Sequence, residues 1–175
     1  MSNPPDATIR RLRTVDDAQA DALADLLVAS VDDGASVGFM HPLEKAKAVA
    51  FWRRVADGVA AGDRALLVAE DENGIVGTVH LLLALPENQP HRADLVKMLV
   101  HPRARRRGLG AALMEAVEEM ARDCGRTLLV LDTVTGSDAE RLYARLGWIR
   151  VGEIPEFALL SRGGLWGAVV FYKKL

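Results

Sequence analysis

The chain has 175 residues, half of them hydrophobic and 26% charged, with a formal net charge of −2. That is enough apolar material for one sizeable core, and the slightly acidic balance argues against a nucleic-acid surface. A single cysteine, Cys124, excludes an intrachain disulfide, and no apolar run approaches membrane-spanning length. The expectation is one domain over residues 1–175 in the cytoplasm, with residues 1–6 a loose tail lacking a basic-then-apolar signal pattern.

Residues 7–13 alternate well enough for a first strand. Asp16 or Asp17 can cap a helix whose apolar stripe includes Leu23, Leu26, Leu27 and Val31. Residues 32–42, with Gly34, Gly38 and Pro42, read as a loop that also carries Phe39 and Met40. A second helix over 43–61 turns Ala48, Phe51, Trp52, Val55 and Val59 inward and stops at Gly62. Strands at 64–70 and 75–85 flank Asn73-Gly74, a hairpin turn. The segment 86–90 breaks the second of them, and 93–100 forms the next strand.

The helix that follows has the clearest signal. Leu109, Ala112, Leu113, Ala116, Val117, Met120, Ala121 and Cys124 recur at helical spacing, with Glu115, Glu118, Glu119, Arg122 and Asp123 on the other face. Residues 127–131 form a short apolar strand, expected to be buried on both faces, with Asp132 at its carboxyl end. Strand, helix and strand make a βαβ unit, so 93–100 and 127–131 should run parallel. Ser137 and Glu140 form a capping box at the start of a last helix that ends at Gly147. Strands at 148–154 and 165–173 close the chain, with Gly163-Gly164 helping it turn between them.

Between the strand at 93–100 and the long helix lie Arg103, Arg105, Arg106 and Arg107 with Gly108 and Gly110. The first amides of a helix have no partner within it, and the dipole there favours negative charge. A strand, a basic glycine-containing turn and a helix N-terminus together define an anion site of the phosphate-binding kind. Arginines at that position oppose the dipole and repel one another, costs that a bound polyanion would relieve.

Arg105-x-x-Gly108-x-Gly110-Ala111 resembles the acyl-CoA signature of the GCN5-related N-acetyltransferase (GNAT) family, as does the preceding strand ending in Val100-His101-Pro102. Residues 139–148 resemble that family's distal segment. The resemblance implies a single α/β domain with a mixed, mostly antiparallel central sheet and helices on both faces. It implies acetyl-CoA as co-substrate, held by the backbone of Arg105, Arg106, Arg107, Gly108, Leu109, Gly110 and Ala111. Met98, Leu99 and Val100 would pair with the pantetheine arm, and an amide of Leu99 or Met98 would face the thioester oxygen. The loop at 32–42 would help shape the acceptor pocket.

Acetyl transfer to an amine also needs a neutral nucleophile, donors for the tetrahedral oxyanion and a proton for the departing thiolate. Tyr143 matches the family's acid, although its spacing with Leu142 and Leu146 also suits a core residue. The family often places a glutamate within or beside the strand before the signature, and Lys97 stands near that place here. The base therefore stays open among Asp132, Asp94, His80, His91 and water. Scattered histidines support no metal site.

Residues 131–133, 139–143 and 148–155 further resemble the tabtoxin-resistance branch, which acetylates small amines, including toxin or antibiotic amino groups. The expected partner is thus a small-molecule amine, with no nucleic acid and no membrane, and a homodimer is compatible with the sequence. A protein N-terminus or polyamine as acceptor, a non-catalytic acyl-CoA sensor, and a nucleic-acid module built on the arginines are the alternatives.

Overall fold

In the computed structural model, which describes residues 7–175, every strand but one pair is antiparallel to its neighbour. The tail expected at 1–6 lies outside the described residues. In chain order the elements are β1 (Thr8–Leu12), α1 (Asp17–Asp32), α2 (Lys45–Ala61), β2 (Arg64–Asp71), β3 (Gly74–Leu82) and β4 (Arg92–Val100). Then come α3 (Leu109–Asp123), β5 (Leu128–Val134), α4 (Asp138–Arg145), β6 (Ile149–Leu159) and β7 (Leu165–Lys174). One seven-stranded sheet runs β1-β2-β3-β4-β5-β7-β6. This is the expected α/β domain with a mixed, mostly antiparallel sheet.

The sheet separates two apolar layers. On one face, Leu109, Leu113, Met114, Val117 and Met120 of α3 pack against Leu67, Val79, Leu81 and Leu95. On the other, Leu23, Leu27 and Val31 of α1 and Trp52 and Val55 of α2 cover Leu66, Val68 and Leu99. Each such side chain, once buried, contributes roughly 1.5–3 kcal/mol. The caps follow their residues. Asp16 accepts from the amide of Gln19 and Gln19 answers to the amide of Asp16, while Gly62 ends α2 in the left-handed region at φ 82°.

Two irregularities shape the middle of the sheet. The parallel β4–β5 ladder holds only for Arg92–Leu128, Ala93–Leu129 and Asp94–Val130, and beyond Val130 the strands part. Upstream of Val100, β4 bulges against β3: Thr78 pairs with Leu99 but His80 pairs with Val96, so Lys97 and Met98 share one place opposite Val79. Lys97 takes φ 52°, a conformation a non-glycine strand residue rarely adopts.

Several expectations need correction. β3 stops at Leu82 because the amides of Leu83 and Ala84 turn to the carbonyl of Asp63. β5 is not buried on both faces. Leu129 and Leu131 are buried, but α1 and α2 pack over β2, β3 and β4 and leave the same face of β5 half covered. Glu118 is not on the solvated face of α3; it is 8% exposed and accepts from Lys173 Nζ at 2.7 Å. The same ammonium donates to the carbonyl of Leu146 at 2.9 Å, so one lysine ties β7 to α3 and to the end of α4. The box at Ser137 closes differently on its second side. Ser137 Oγ accepts from the Glu140 amide, but the Glu140 carboxylate accepts from Gly136, one residue earlier.

Candidate active site

The signature residues form a fan of amides. A 3-10 turn at Pro102–Ala104 leads to Arg106 at φ 61° and Gly108 at φ 78°, and α3 starts at Leu109. Two left-handed residues this close curl successive N–H groups toward one side, the concave geometry that receives anions. The amides of residues 106–111 donate to no protein acceptor among the described residues, whereas Ala112 already closes the first helical bond to Gly108. Gly108 is required by its φ; a Cβ there would meet nothing. Gly110 serves another end, since a Cβ would press on Leu142 of α4 at 3.3 Å.

The arginine side chains are less free than the sequence implies. Arg103 is held two-handed by Asp71, which keeps that carboxyl below its ordinary pKa. Arg105 is ion-paired with Asp33 and donates to the Val100 carbonyl at 3.1 Å. Protein carboxylates, not only a ligand, thus relieve the repulsion. Arg106 and Arg107 are exposed and make no ion pair among the described residues.

From this fan a cleft of about 1230 Å³ runs between the parted strands. Its wall includes residues 95–100 of β4, residues 131–134 of β5 and Leu142 and Tyr143 of α4. Beyond the last β4–β5 pair, the strand edges that face each other across the gap are open to an extended ligand. Of the residues singled out in the sequence, Met98, Leu99, Val100, Arg105, Arg106, Gly108, Leu109, Gly110, Ala111, Asp132 and Tyr143 line the cleft. Arg107 and Asp94 do not. Asp94 is held by Arg92 through two hydrogen bonds, at 2.6 and 3.3 Å.

At the far end Asp132, Lys97 and Tyr143 gather. Burial raises the Asp132 carboxyl above the usual carboxylate range; Lys97 opposes the shift and Asp94 adds to it. Burial likewise lowers Lys97. Tyr143 is 5% exposed, packed against Trp148 and Phe171, and its phenol is pushed up by burial and then by Asp132. It is both the core residue its spacing indicates and part of the cleft wall. His80 is fully buried behind the sheet and outside the cleft wall, and His91 is exposed just before β4.

Sequence reasoning missed the walls of this end. Val37 and Gly38 line the cleft, whereas Met40 is exposed outside it and Phe39 stacks on Phe51 at 5.3 Å. The turn between β6 and β7 folds over the same loop: the His41 amide donates to Ser161 O at 2.7 Å and Arg162 donates to Asp32 O at 2.8 Å. Phe157 and Trp166 complete the roof. No sequence pattern announces contacts between segments this far apart.

A split parallel pair, with an amide fan at one end and titratable groups at the other, makes a cleft suited to an extended anionic ligand. The chain matches the acetyltransferase (GNAT) domain model over residues 62–150 and belongs to that family. It is 31% identical over 129 residues to an uncharacterized N-acetyltransferase from the hisH-hisA intergenic region of Azospirillum brasilense, covering 73% of this chain and 75% of that one. Its fold is similar to ribosomal-protein-alanine N-acetyltransferase from Brucella melitensis (TM-score 0.81, 20% identity, 96% and 99% of the two chains). It is also similar to yncA from Salmonella typhimurium, solved with its cofactor acetyl-CoA (TM-score 0.77, 20% identity, 97% and 94%). No helix among the described residues is long and apolar enough to cross a membrane, and no group of three or more histidine, cysteine or acidic side chains is placed to hold a metal.

Proposed function

We propose that this protein moves the acetyl group of acetyl-CoA to the primary amine of a small molecule. The observation that carries the reading is the continuity of one cleft, from the unpartnered amides of residues 106–111, past the parted strands, to Asp132 and Tyr143. The amide fan suits a diphosphate. The gap between β4 and β5 suits the pantetheine arm, with the bulge at Lys97 and Met98 turning a main-chain donor toward the thioester oxygen. Acetyl-CoA supplies the activated acyl group and its leaving thiolate.

The remaining steps fall to this chain's side chains. Asp132, raised above an ordinary carboxylate, takes a proton from the acceptor ammonium, directly or through water. The neutral nitrogen then attacks the thioester carbonyl, forming the C–N bond as the C–S bond breaks. Tyr143, a phenol that stays O–H through the neutral range, delivers its proton to the sulfur and regains one, through water, from the nitrogen as the amide forms, while the proton taken by Asp132 leaves to solvent. Asp94, fixed by Arg92 outside the cleft, supports the Asp132 carboxyl's raised pKa and does not touch substrate.

The contacts joining residues 32–42 to residues 159–162 narrow the acceptor end on one side, which favours a small amine over a folded protein. The likeness of residues 131–133, 139–143 and 148–155 to the tabtoxin-resistance branch supports a toxin or antibiotic amino group as acceptor. Acetyl-CoA consumption against a panel of small amines tests the reading, with calorimetric titration of acetyl-CoA as the binding control. Turnover with at least one amine is expected. Binding without turnover across the panel would leave a sensor, and absence of binding by the folded protein would remove the reading altogether.

A further inference from the structure

Lys97 occupies the acceptor end in an unusual way. Its backbone holds a left-handed φ within the β4 bulge, a strain that surrounding packing must sustain. Its ammonium lies over two ring faces, 5.6 Å from the centre of Phe51 and 6.0 Å from that of Phe39. Gly38 of the roof packs beside it, close enough that a Cβ there would stand in van der Waals contact with Nζ. Among the described residues Nζ makes no hydrogen bond and no ion pair.

Of the other cations of the cleft wall, two are already engaged, while Arg106 stands at the amide fan away from this end. Arg105 is satisfied by Asp33, and Arg141 by Asp138 and the Gly136 carbonyl. Lys97 instead presents three unused donors to the cavity, aligned by aromatic rings that cannot accept them conventionally. Across the parted strands stands Asp132, of opposite sign and close enough to shift the Lys97 pKa, but not in ion-pair contact. The site therefore offers a cation and an anion separated by open space.

We propose that the acceptor is an amine that also carries a carboxylate, as an α-amino acid does, with Lys97 receiving the carboxylate and Asp132 the ammonium. This rests on the acetyltransferase reading above and narrows it. A bound carboxylate supplies the counter-charge that the half-buried ammonium lacks, and Phe39 and Phe51 hold Nζ in place before it arrives. The departure from a family-like glutamate at this position then changes what is recognised, leaving proton removal to Asp132.

The test uses the full chain with saturating acetyl-CoA and the proteinogenic amino acids, each paired with its decarboxylated amine, on wild type, Lys97→Met and Lys97→Arg. Wild type should favour the carboxylated member of the pair. Lys97→Met should lower kcat/KM for it by roughly 10- to 100-fold, mainly through KM, and lower that of the plain amine only a few-fold. Lys97→Arg should keep part of the preference. Without acceptor, Lys97→Met should melt no lower than wild type, because an uncompensated charge is replaced by an apolar chain of similar length.

A wild-type preference for decarboxylated amines overturns the inference, and this comparison needs no variant to fold. Equal losses on both members of each pair, or a fall in kcat with KM held, overturn it in favour of a proton-transfer role for Lys97. Absence of turnover with every amine is a different failure: it removes the acetyltransferase reading itself, and this inference with it.

Discussion

His80 makes the energetic consequences of this fold measurable. It is fully buried against Trp52, and its Nε2 lies 3.0 Å from the Arg64 guanidinium. A guanidinium can only donate, so Nε2 must be the bare acceptor and the imidazole neutral. Burial, then the cations Arg64 and Lys97, push its pKa down from 6.5 to about 3. The unfolded chain thus binds a proton that the folded chain refuses. Stability from this group is complete above about pH 6.5 and is lost progressively as pH falls toward 3, at up to about 1.4 kcal/mol per unit.

Between about pH 7 and pH 5 the loss amounts to roughly 2 kcal/mol, a large part of the 5–15 kcal/mol that holds a typical domain together. His80→Gln keeps an acceptor for Arg64 but cannot titrate. Its stability at neutral pH is lower by some offset, yet the gap from wild type should narrow on acidification by that same ~2 kcal/mol. Urea unfolding of both proteins across the range gives the comparison. Parallel curves would refute the argument, as would an NMR titration placing the folded-state His80 midpoint near 6.5.

Further outcomes follow from the site and its supports. Tyr143→Phe should cut kcat by ~100-fold with little change in the KM for acetyl-CoA, as loss of a general acid requires; unchanged kcat would remove that role. Asp132→Asn should lower kcat/KM by a similar ~100-fold factor and abolish an acidic limb that, in wild type, lies above the ordinary carboxylate range. Glu118→Ala leaves Lys173 without its counter-charge. Because Lys173 remains 24% exposed, the cost in urea unfolding should be about 2 kcal/mol, below the 3–5 of a fully buried pair. Gly108→Ala meets no atom, so its cost is the left-handed backbone alone, about 1–2 kcal/mol in unfolding, with weaker acetyl-CoA binding by calorimetry as the amide fan relaxes.

The strand, turn and helix that form the amide fan were legible because local rules write them. Helical spacing fixes α3, glycine chemistry fixes Gly108, and an α/β unit places the turn at strand ends. Even there, Asp33 and Asp71 beside the arginines were hidden, since ion pairs across long sequence separations leave no periodic trace. The bulge had a faint sign: Leu95 and Leu99 keep one parity, but the apolar run Met98, Leu99 and Val100 breaks it. That slip turns Lys97 to the α1 and α2 side of the sheet, next to Phe39 and Phe51. Glu118 misled for the opposite reason, as its partner Lys173 lies 55 residues away on β7.

The stretch this chain shares with its family, residues 62–150, contains the amide fan together with Lys97, Asp132 and Tyr143. The enclosure above them is assembled from outside it, by Val37, Gly38 and His41 before and by Phe157, Ser161, Arg162 and Trp166 after. The floor of the cleft and its roof are thus written in different parts of the polypeptide. Drift in the two flanks can reshape that roof while the floor beneath stays the same, but a fragment trimmed to the shared stretch would lose β7 from beside β5 and the α1 layer from one face of the sheet, and the fold with them.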